Sequence, residues 1–193
     1  MGKTYERIDG RLRAFIEAQP LFFTASAPLA GDGHVNVSPK GRAGTLVVLD
    51  ELTLAYLDFG GSTAETIAHL RENGRITLMW CAFTGPPTVV RVHGRGEAVL
   101  RDDARFAELV ARFPAGADGA GLRCVVLVHA ERVSDSCGFA VPFMDYREDR
   151  ALHADYFGRK SEAEFAEYCA SKPYNAASVD GLPALPLPLP PRP

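Results

Sequence analysis

The fold is decided by two runs of sequence, RITLMWC at 75–81 and TVVRVHGRGEAVL at 88–100, separated by a Gly-Pro-Pro turn at 85–87. Both runs are rich in β-branched and aromatic residues, and in the second run apolar and polar residues alternate, which is typical of strands. Gly94 and Gly96 lie inside the second run, where a β-bulge or tight bend explains them better than a dinucleotide-binding loop. The pair therefore predicts two antiparallel strands.

Further strands and helices are predicted on both sides of this pair. The predicted strands are 21–26, 34–38 (stopped by Pro39), 45–49, 52–57 and 122–133, and the predicted helices are one ending at Pro20, 64–73, Asp102 or Asp103 to Phe113, and 161–171. Six or seven strands with few helices between them indicate a mainly antiparallel sheet, and closure of such a sheet removes its unpaired edges. We therefore predict a mainly β (β+α) fold, a small barrel of six to seven antiparallel strands with peripheral helices.

Composition narrows the class of protein. The chain has 193 residues, 21 Lys plus Arg against 24 Asp plus Glu and a net charge of −3, so a dedicated nucleic-acid binder is not expected. Its four Cys and five His show no metal-ligand spacing, so no metal site is predicted and the thiols are expected to be free. We find no signal-peptide pattern and no apolar run long enough to cross a bilayer. These observations predict a cytoplasmic, single-domain protein with no membrane partner.

The stretch 183–193 holds six of the fourteen prolines. Such a composition favours extended polyproline geometry. The Pro-x-x-Pro pattern at 188–191 is one that SH3-type domains bind, but a tail lying loosely on the surface is the preferred interpretation. We divide the chain into a barrel domain with a C-terminal helical extension, residues 1–182, and this Pro-rich tail.

The first candidate binding element is the segment Asn36-Val37-Ser38-Pro39-Lys40. Alternation predicts that Val35 and Val37 face the core, while Asn36 and Ser38 share the opposite face. That polar row, followed by Lys40 on a turn, would suit a phosphate or a polar ring. The alternative is a solvent-facing strand edge with a lysine-bearing turn.

Two further elements could bind an anion. Gly60-Gly61-Ser62-Thr63-Ala64-Glu65-Thr66 combines a glycine pair with a predicted capping box, so a helix start with exposed N–H and hydroxyl donors is expected there. An ordinary capped helix is the alternative. In the strand at 88–100, Arg91, His93 and Arg95 share one face and could hold a phosphate, or else pair with acids such as Glu97.

At these residues the chain resembles the pyridoxamine 5′-phosphate oxidase-like family, the FMN-binding split β-barrels, over roughly residues 10 to 183. The matching segments are HVNVSPKG at 34–41, LAYLD at 54–58, ETIAHLREN at 65–73, RITLMW at 75–80, RVHG at 91–94, SCGFAVP at 136–142 and SVDGLP at 178–183. The resemblance implies a homodimer with one FMN in each of two clefts at the subunit interface.

The resemblance also implies which residues line the FMN site. They are Asn36, Val37, Ser38 and Lys40 on one strand, Tyr56, Leu57 and Asp58 on the next, Ser62, Thr63 and Thr66 near the phosphate, and Arg91 on the fifth strand. No catalytic residue is implied.

The chain departs from the family pattern at the helix start. Pyridoxamine phosphate oxidases place Ser-Arg-Lys there, whereas this chain has Ser-Thr-Ala-Glu-Thr at 62–66, and its Pro-rich end lacks their further arginines. The loss of these cations argues against vitamin B6 oxidation. The resemblance implies an FMN-dependent oxidoreductase that transfers hydride to or from a small molecule. The alternative is a non-enzymatic carrier or sensor of flavin, haem or another small molecule.

Overall fold

The computed structural model describes residues 2–193. Seven strands form one antiparallel sheet in the order β3-β2-β6-β7-β8-β5-β4, and the two-residue β1 pairs with β8. The strands are β1 Thr4–Tyr5, β2 Leu21–Ser26, β3 Asn36–Gly41, β4 Leu46–Val48, β5 Thr53–Phe59, β6 Arg75–Cys81, β7 Thr88–Leu100 and β8 Leu122–Cys137. The helices are α1 Gly10–Ala18, α2 Glu65–Glu72, α3 Phe106–Val110, α4 Leu152–Gly158, α5 Glu162–Ser171 and α6 Pro173–Ala176.

The sheet curls into a split barrel. Its two outermost strands, β3 and β4, are consecutive in the chain and are joined only by residues 42–45, so the two ends of the sheet must approach each other. The Leu57 N–H also donates to the Thr45 carbonyl oxygen over 2.9 Å, which ties this link to β5. The predicted mainly β, antiparallel split barrel with peripheral helices is confirmed.

The long strands β7 and β8 form the centre of the sheet, and their register shifts between His93 and Gly94. The predicted bulge is therefore confirmed. Before the bulge Val90 and Val92 are buried, while Arg91 and His93 lie on the other face, as the alternation predicts. Beyond it, the exposed Arg95 pairs with Glu131 over 3.2 Å, which is an ordinary cross-strand ion pair with an acid other than Glu97.

The core is built around the inner face of the sheet. Trp80 and Tyr56 are almost fully buried, and the Phe22 ring lies 5.5 Å from that of Tyr56 and 5.8 Å from that of Trp80. Helix α1 closes this core with Leu12 and Ile16. A second apolar cluster lies between the other face of β5 and β8 and helix α3.

The two predicted capping boxes have different outcomes. At Ser161 the hydroxyl accepts from the Glu164 N–H and the Glu164 carboxylate accepts from the Ser161 N–H, so this box is confirmed. At α2 the prediction is wrong, because Ala64 is the N-cap and no side chain caps the helix. The Glu65 carboxylate accepts instead from the Val179 N–H and so fastens the C-terminal segment. Helix α3 is also shorter than predicted.

Two more sequence predictions need correction. Pro39 does not stop β3 but lies within it, opposite Phe23, and proline is tolerated there because β3 is an edge strand. The segment 183–193 does not lie loosely on the surface, since Leu185 and Leu189 are each only 4% exposed and belong to the main core. Burial of an apolar side chain at these positions stabilises the fold, because the side chain leaves water.

No helix of residues 2–193 is long and apolar enough to cross a membrane.

Candidate functional site

A cleft of about 1240 Å³ opens at the split of the barrel, where β3, the end of β5 and the start of α2 meet. Its far wall is the segment 144–150, which we call the strap, together with His153. The lining includes Ser38, Lys40, Arg42, Leu57, Phe59, Ser62, Thr63, Trp80 and Arg123. The cleft therefore contains five of the residues that the family resemblance implied: Ser38, Lys40, Leu57, Ser62 and Thr63.

Strand β3 presents its polar side chains inward. Val35 and Val37 are 69% and 63% exposed, so the prediction that they face the core is wrong. The reason lies in the hydrogen bonds of the polar row. The Asn36 amide donates to Ser26 Oγ (3.2 Å) and Thr66 Oγ1 (3.1 Å), and Ser38 Oγ donates to Asn36 Oδ1 (2.8 Å). Polar groups with internal partners can lie inward at no loss of hydrogen bonding.

Three charged residues meet at the floor of the cleft, where Lys40 and Arg123 line it and Asp58 lies buried beneath them. Asp58 is 1% exposed, and it accepts from Lys40 Nζ over 2.8 Å and from the Arg123 guanidinium over 2.7 and 3.0 Å. Arg123 also donates to the carbonyl oxygen of Thr63 and to the side chain of Asn175. Burial alone would raise the pKa of Asp58, but Arg123 and Lys40 outweigh it and hold the pKa at about 2. At neutral pH the floor therefore carries two cations and one anion.

The start of α2 forms the adjoining wall. Ser62 and Thr63 are exposed, line the cleft and make no side-chain hydrogen bond to any described residue. Thr66 is different, because it is buried beneath Asn36 and does not line the cleft. Two unbonded hydroxyls next to a surplus positive charge form a donor set that suits an anion such as a phosphate.

The other implied residues lie away from the cleft lining. Tyr56 is in the core, and burial raises the pKa of its phenol well above 10. Val37 and Arg91 lie on the outer face of the sheet, in rows that run from β3 to β8 through Ala25 and Phe23. Arg91 donates there to Ser136 Oγ over 2.9 Å. Within one chain, the implied residues are thus divided between two faces of one sheet.

Sequence reasoning missed Arg123, Arg42 and His153. Arg123 is an arginine near the start of an otherwise apolar strand, which is a signal for a buried, paired charge. The other two residues carry no such signal, because only the fold brings the turn after β3 to the start of α4. No group of three or more metal-ligating side chains occurs within 2–193.

Comparison with known proteins identifies the family. The model of the family described as pyridoxamine 5′-phosphate oxidase matches residues 8–137. The pyridoxamine 5′-phosphate oxidase family protein ustO of Aspergillus flavus is 38% identical, in an alignment that covers 94% of this chain and 77% of that protein. The chain belongs to the pyridoxamine 5′-phosphate oxidase family. The family match runs from α1 to β8 and includes Lys40, Asp58 and Arg123, whereas the strap and His153 lie beyond it.

Comparison with solved structures gives matches that are more distant in sequence. A conserved hypothetical protein from Mycobacterium tuberculosis is 15% identical with a TM-score of 0.49, over 73% of this chain and 92% of that one. An FAD-binding protein from Mesorhizobium loti is 18% identical with a TM-score of 0.45, over 70% and 95% of the two chains. An FMN-binding protein from Syntrophomonas wolfei is 16% identical with a TM-score of 0.43, over 64% and 80%.

Proposed function

We propose that this member of the pyridoxamine 5′-phosphate oxidase family binds FMN in the cleft and acts as an FMN-dependent oxidoreductase on a small molecule. The observation that carries the proposal is the surplus positive charge of Lys40, Asp58 and Arg123 beside the free hydroxyls of Ser62 and Thr63. A dianionic phosphate ester matches this donor set. The cleft volume, about 1240 Å³, is ample for a cofactor, since ligand pockets span roughly 300–1,000 Å³.

Each residue of the floor has a definable part in holding the phosphate. Lys40 is 23% exposed and uses one of its three N–H donors on Asp58, so its other donors can reach a ligand. Asp58 and Arg123 fix the position of the Lys40 ammonium from below. Ser62 and Thr63 supply hydroxyl donors from the start of α2. Bound FMN would supply two-electron hydride chemistry, and the protein would supply binding, orientation and exclusion of water.

The same residues argue for a substrate other than vitamin B6. The start of α2 has no cation at 62–66, and the cleft has one set of phosphate donors on its floor. Those donors are used once FMN is bound. A second phosphate would then lack the lysine and the helix-start hydroxyls that hold the first one, so we infer a substrate without a phosphate.

We further propose that the protein is a homodimer in which each site is shared. Val37 and Arg91 lie on the outer face of the sheet, opposite Lys40, so one chain cannot bring all of them to one ligand. A second copy that packs its outer face over the cleft could do so. The exposed Val37 on β3 and Val35 just before it also favour burial in such an interface.

Titration of the apoprotein with FMN tests the cofactor proposal. Lys40→Met removes a charge-assisted hydrogen bond, which contributes about 1.5–3 kcal/mol, so FMN affinity should fall at least tenfold. The Asp58–Arg123 pair stays neutral and paired in this variant, so the fold should persist. Flavin absorbance or fluorescence quenching gives the affinity. The matched control is Lys172→Met, because Lys172 is exposed and lies outside the cleft lining.

Two outcomes would contradict the cofactor proposal. One is a wild-type protein that does not bind FMN, and the other is an unchanged FMN affinity in Lys40→Met. Anaerobic mixing with NADH and NADPH then separates the enzyme from a carrier or sensor. Bleaching of the bound flavin supports the oxidoreductase, whereas tight FMN binding without reduction by either donor favours a flavin carrier.

A further inference from the structure

A second polar group lies in the cleft, on the wall formed by Phe59 and away from the floor. The Arg42 guanidinium lies over the Phe59 ring, 4.6 Å from its centroid. Its Nη1 is buried with no hydrogen-bond partner, and its side chain forms no ion pair among the described residues. An arginine held on an aromatic ring with donors unused is suited to bind a planar oxyanion, because its N–H groups form a fixed fork.

The backbone of Arg42 has an unusual conformation. Arg42 has φ of 76°, and it is the one non-glycine residue of 2–193 with a positive φ. Such a conformation is disfavoured for a residue with a side chain and is typical of functional turns. The next residue, Ala43, donates its N–H to Asp149 Oδ2 of the strap over 3.0 Å. The Asp149 carboxylate thus already accepts a hydrogen bond at the position next to Arg42, where a ligand carboxylate could bind.

His153 also packs against Phe59, with ring centroids 5.5 Å apart. Its Nε2 lies 2.8 Å from the Gly60 carbonyl oxygen, and since that oxygen can only accept, Nε2 carries the proton. Nδ1 is buried and has no partner. Burial lowers the pKa of His153, with Arg42 and Arg123 adding to the effect, so the ring is neutral near pH 7 and Nδ1 presents a lone pair.

The strap covers this wall loosely. The Met144 N–H of the strap donates to the Phe83 carbonyl oxygen over 3.0 Å. The Asp149 carboxylate of the strap accepts from the Ala43 N–H. Met144, Tyr146 and Arg147 on the strap remain exposed, so little packing opposes a local displacement. A ligand carboxylate can therefore take the place of Asp149.

We propose that Arg42 and His153 form the substrate end of the cleft, and that it takes a small molecule with a carboxylate and a neighbouring hydroxyl or amino group. The carboxylate binds the Arg42 guanidinium and the Ala43 N–H in place of Asp149. The hydroxyl or amino group donates to His153 Nδ1. In calling this ligand a substrate the inference rests on the proposed flavin function, but the binding site itself does not depend on it.

The test uses glycolate as the probe, because it combines a carboxylate with a hydroxyl. Protein labelled with ¹⁵N in its histidines is titrated with glycolate, acetate and the neutral ester methyl glycolate. Glycolate should move the His153 Nδ1 resonance, acetate should bind more weakly, and methyl glycolate should not bind. Arg42→Gln should weaken glycolate binding at least tenfold, and Asp149→Ala should strengthen it about threefold by removing the competing carboxylate.

Two further variants show whether a loss of glycolate binding is specific to the Arg42 guanidinium or results from misfolding. Arg147→Gln is the matched control, since Arg147 lines the same cleft but is highly exposed, and it should change the affinity less than twofold. Arg42→Gly removes the guanidinium while relieving the positive φ, so it should fold normally and still lose glycolate binding. Equal losses in Arg147→Gln and Arg42→Gln, or glycolate binding retained in Arg42→Gly, would overturn the proposal.

A parallel FMN titration separates this proposal from the flavin proposal. If FMN binds and glycolate does not, the substrate end is wrong and the flavin site stands. If glycolate binds through Arg42 and FMN does not bind, the reverse holds. If Arg42→Gln weakens FMN as strongly as Lys40→Met does, Arg42 belongs to the flavin site and the proposal is overturned.

Discussion

At the scale of single residues, Asp58 links the charge of the cleft to the stability of the protein. Its pKa of about 2 lies below the ordinary 3.8 because of Arg123 and Lys40, although burial opposes them. The contribution of the ionised carboxylate is therefore fully present above pH 3.8 and is lost as the pH falls towards 2. The difference corresponds to about 2 kcal/mol of unfolding free energy.

Asp58→Asn should remove this dependence and also lower the unfolding free energy at pH 7 by about 3–5 kcal/mol, because it leaves two cations near each other without their acid. Urea unfolding at pH 7, 4 and 2.5 measures both effects. Asp32→Asn is the control, since Asp32 is exposed. A pH dependence of unfolding that is the same in Asp58→Asn and in the wild type would show that Asp58 is not held ionised by its partners.

The sequence could predict part of this site. The family resemblance implies that Lys40 and Asp58 both lie near the ligand, but not that they form an ion pair, because the pair depends on how closely β3 and β5 approach across the split of the barrel. Arg123 was missed although a charge in an apolar strand needs a partner. Periodicity alone could not orient β3, since inward polar side chains are allowed only where partners such as Ser26 and Thr66 exist.

At the scale of the elements, the bulge at Gly94 fixes the register of β7 against β8. A Cβ at Gly94 would overlap the His129 carbonyl oxygen of β8, and backbone of a central strand cannot move aside easily. Gly94→Ala should therefore destabilise the protein by about 3 kcal/mol. Gly31→Ala is the control, because a Cβ there meets no atom within 4 Å. Equal midpoints of urea unfolding for the two variants would contradict this role of the bulge.

Ser62 and Ser161 each begin an S-x-x-E sequence, so substitutions of the two serines can be compared as a test of helix capping. Ser161 caps α5, whereas Ser62 makes no capping bond at α2. Ser161→Ala should lower the unfolding free energy of the apoprotein by about 1 kcal/mol, and Ser62→Ala should change it by less than about 0.5 kcal/mol. Thermal or urea unfolding of both variants decides the matter. A larger effect at Ser62 than at Ser161 would be inconsistent with the observed caps.

Some features of the helices and strands can be predicted from local sequence patterns, and others cannot. Apart from β1, α4 and α6, which the sequence analysis does not predict, the order of strands and helices follows from local chemistry, as do the bulge and the cap at Ser161. The failed cap at α2 was not, because the competing partner of Glu65 is the Val179 N–H, more than a hundred residues away in the chain. The extension of β3 through Pro39 likewise depends on its position at the edge of the sheet.

At the scale of the whole molecule, the proposed dimer predicts the effect of a charge on the outer face. Val37→Glu should convert the protein to a monomer, since it would bury a carboxylate in an apolar contact. Sedimentation velocity measures the state, and FMN affinity should fall in parallel if the sites are shared. Leu52→Glu is the control, because Leu52 is also exposed but lies in the turn between β4 and β5. A wild-type monomer, or a Val37→Glu dimer, would contradict the shared-site arrangement.

The burial of Leu185 and Leu189 has a consequence for how the chain folds. These leucines share one apolar cluster with Ile8, Leu12 and Ile16, so the earliest and latest parts of the described sequence must meet before that cluster is complete. Contacts between such distant residues require the closure of very long loops, and proteins dominated by them fold slowly. Until that meeting, the apolar side chains of both segments stay exposed to other chains, and transiently exposed apolar surface promotes aggregation.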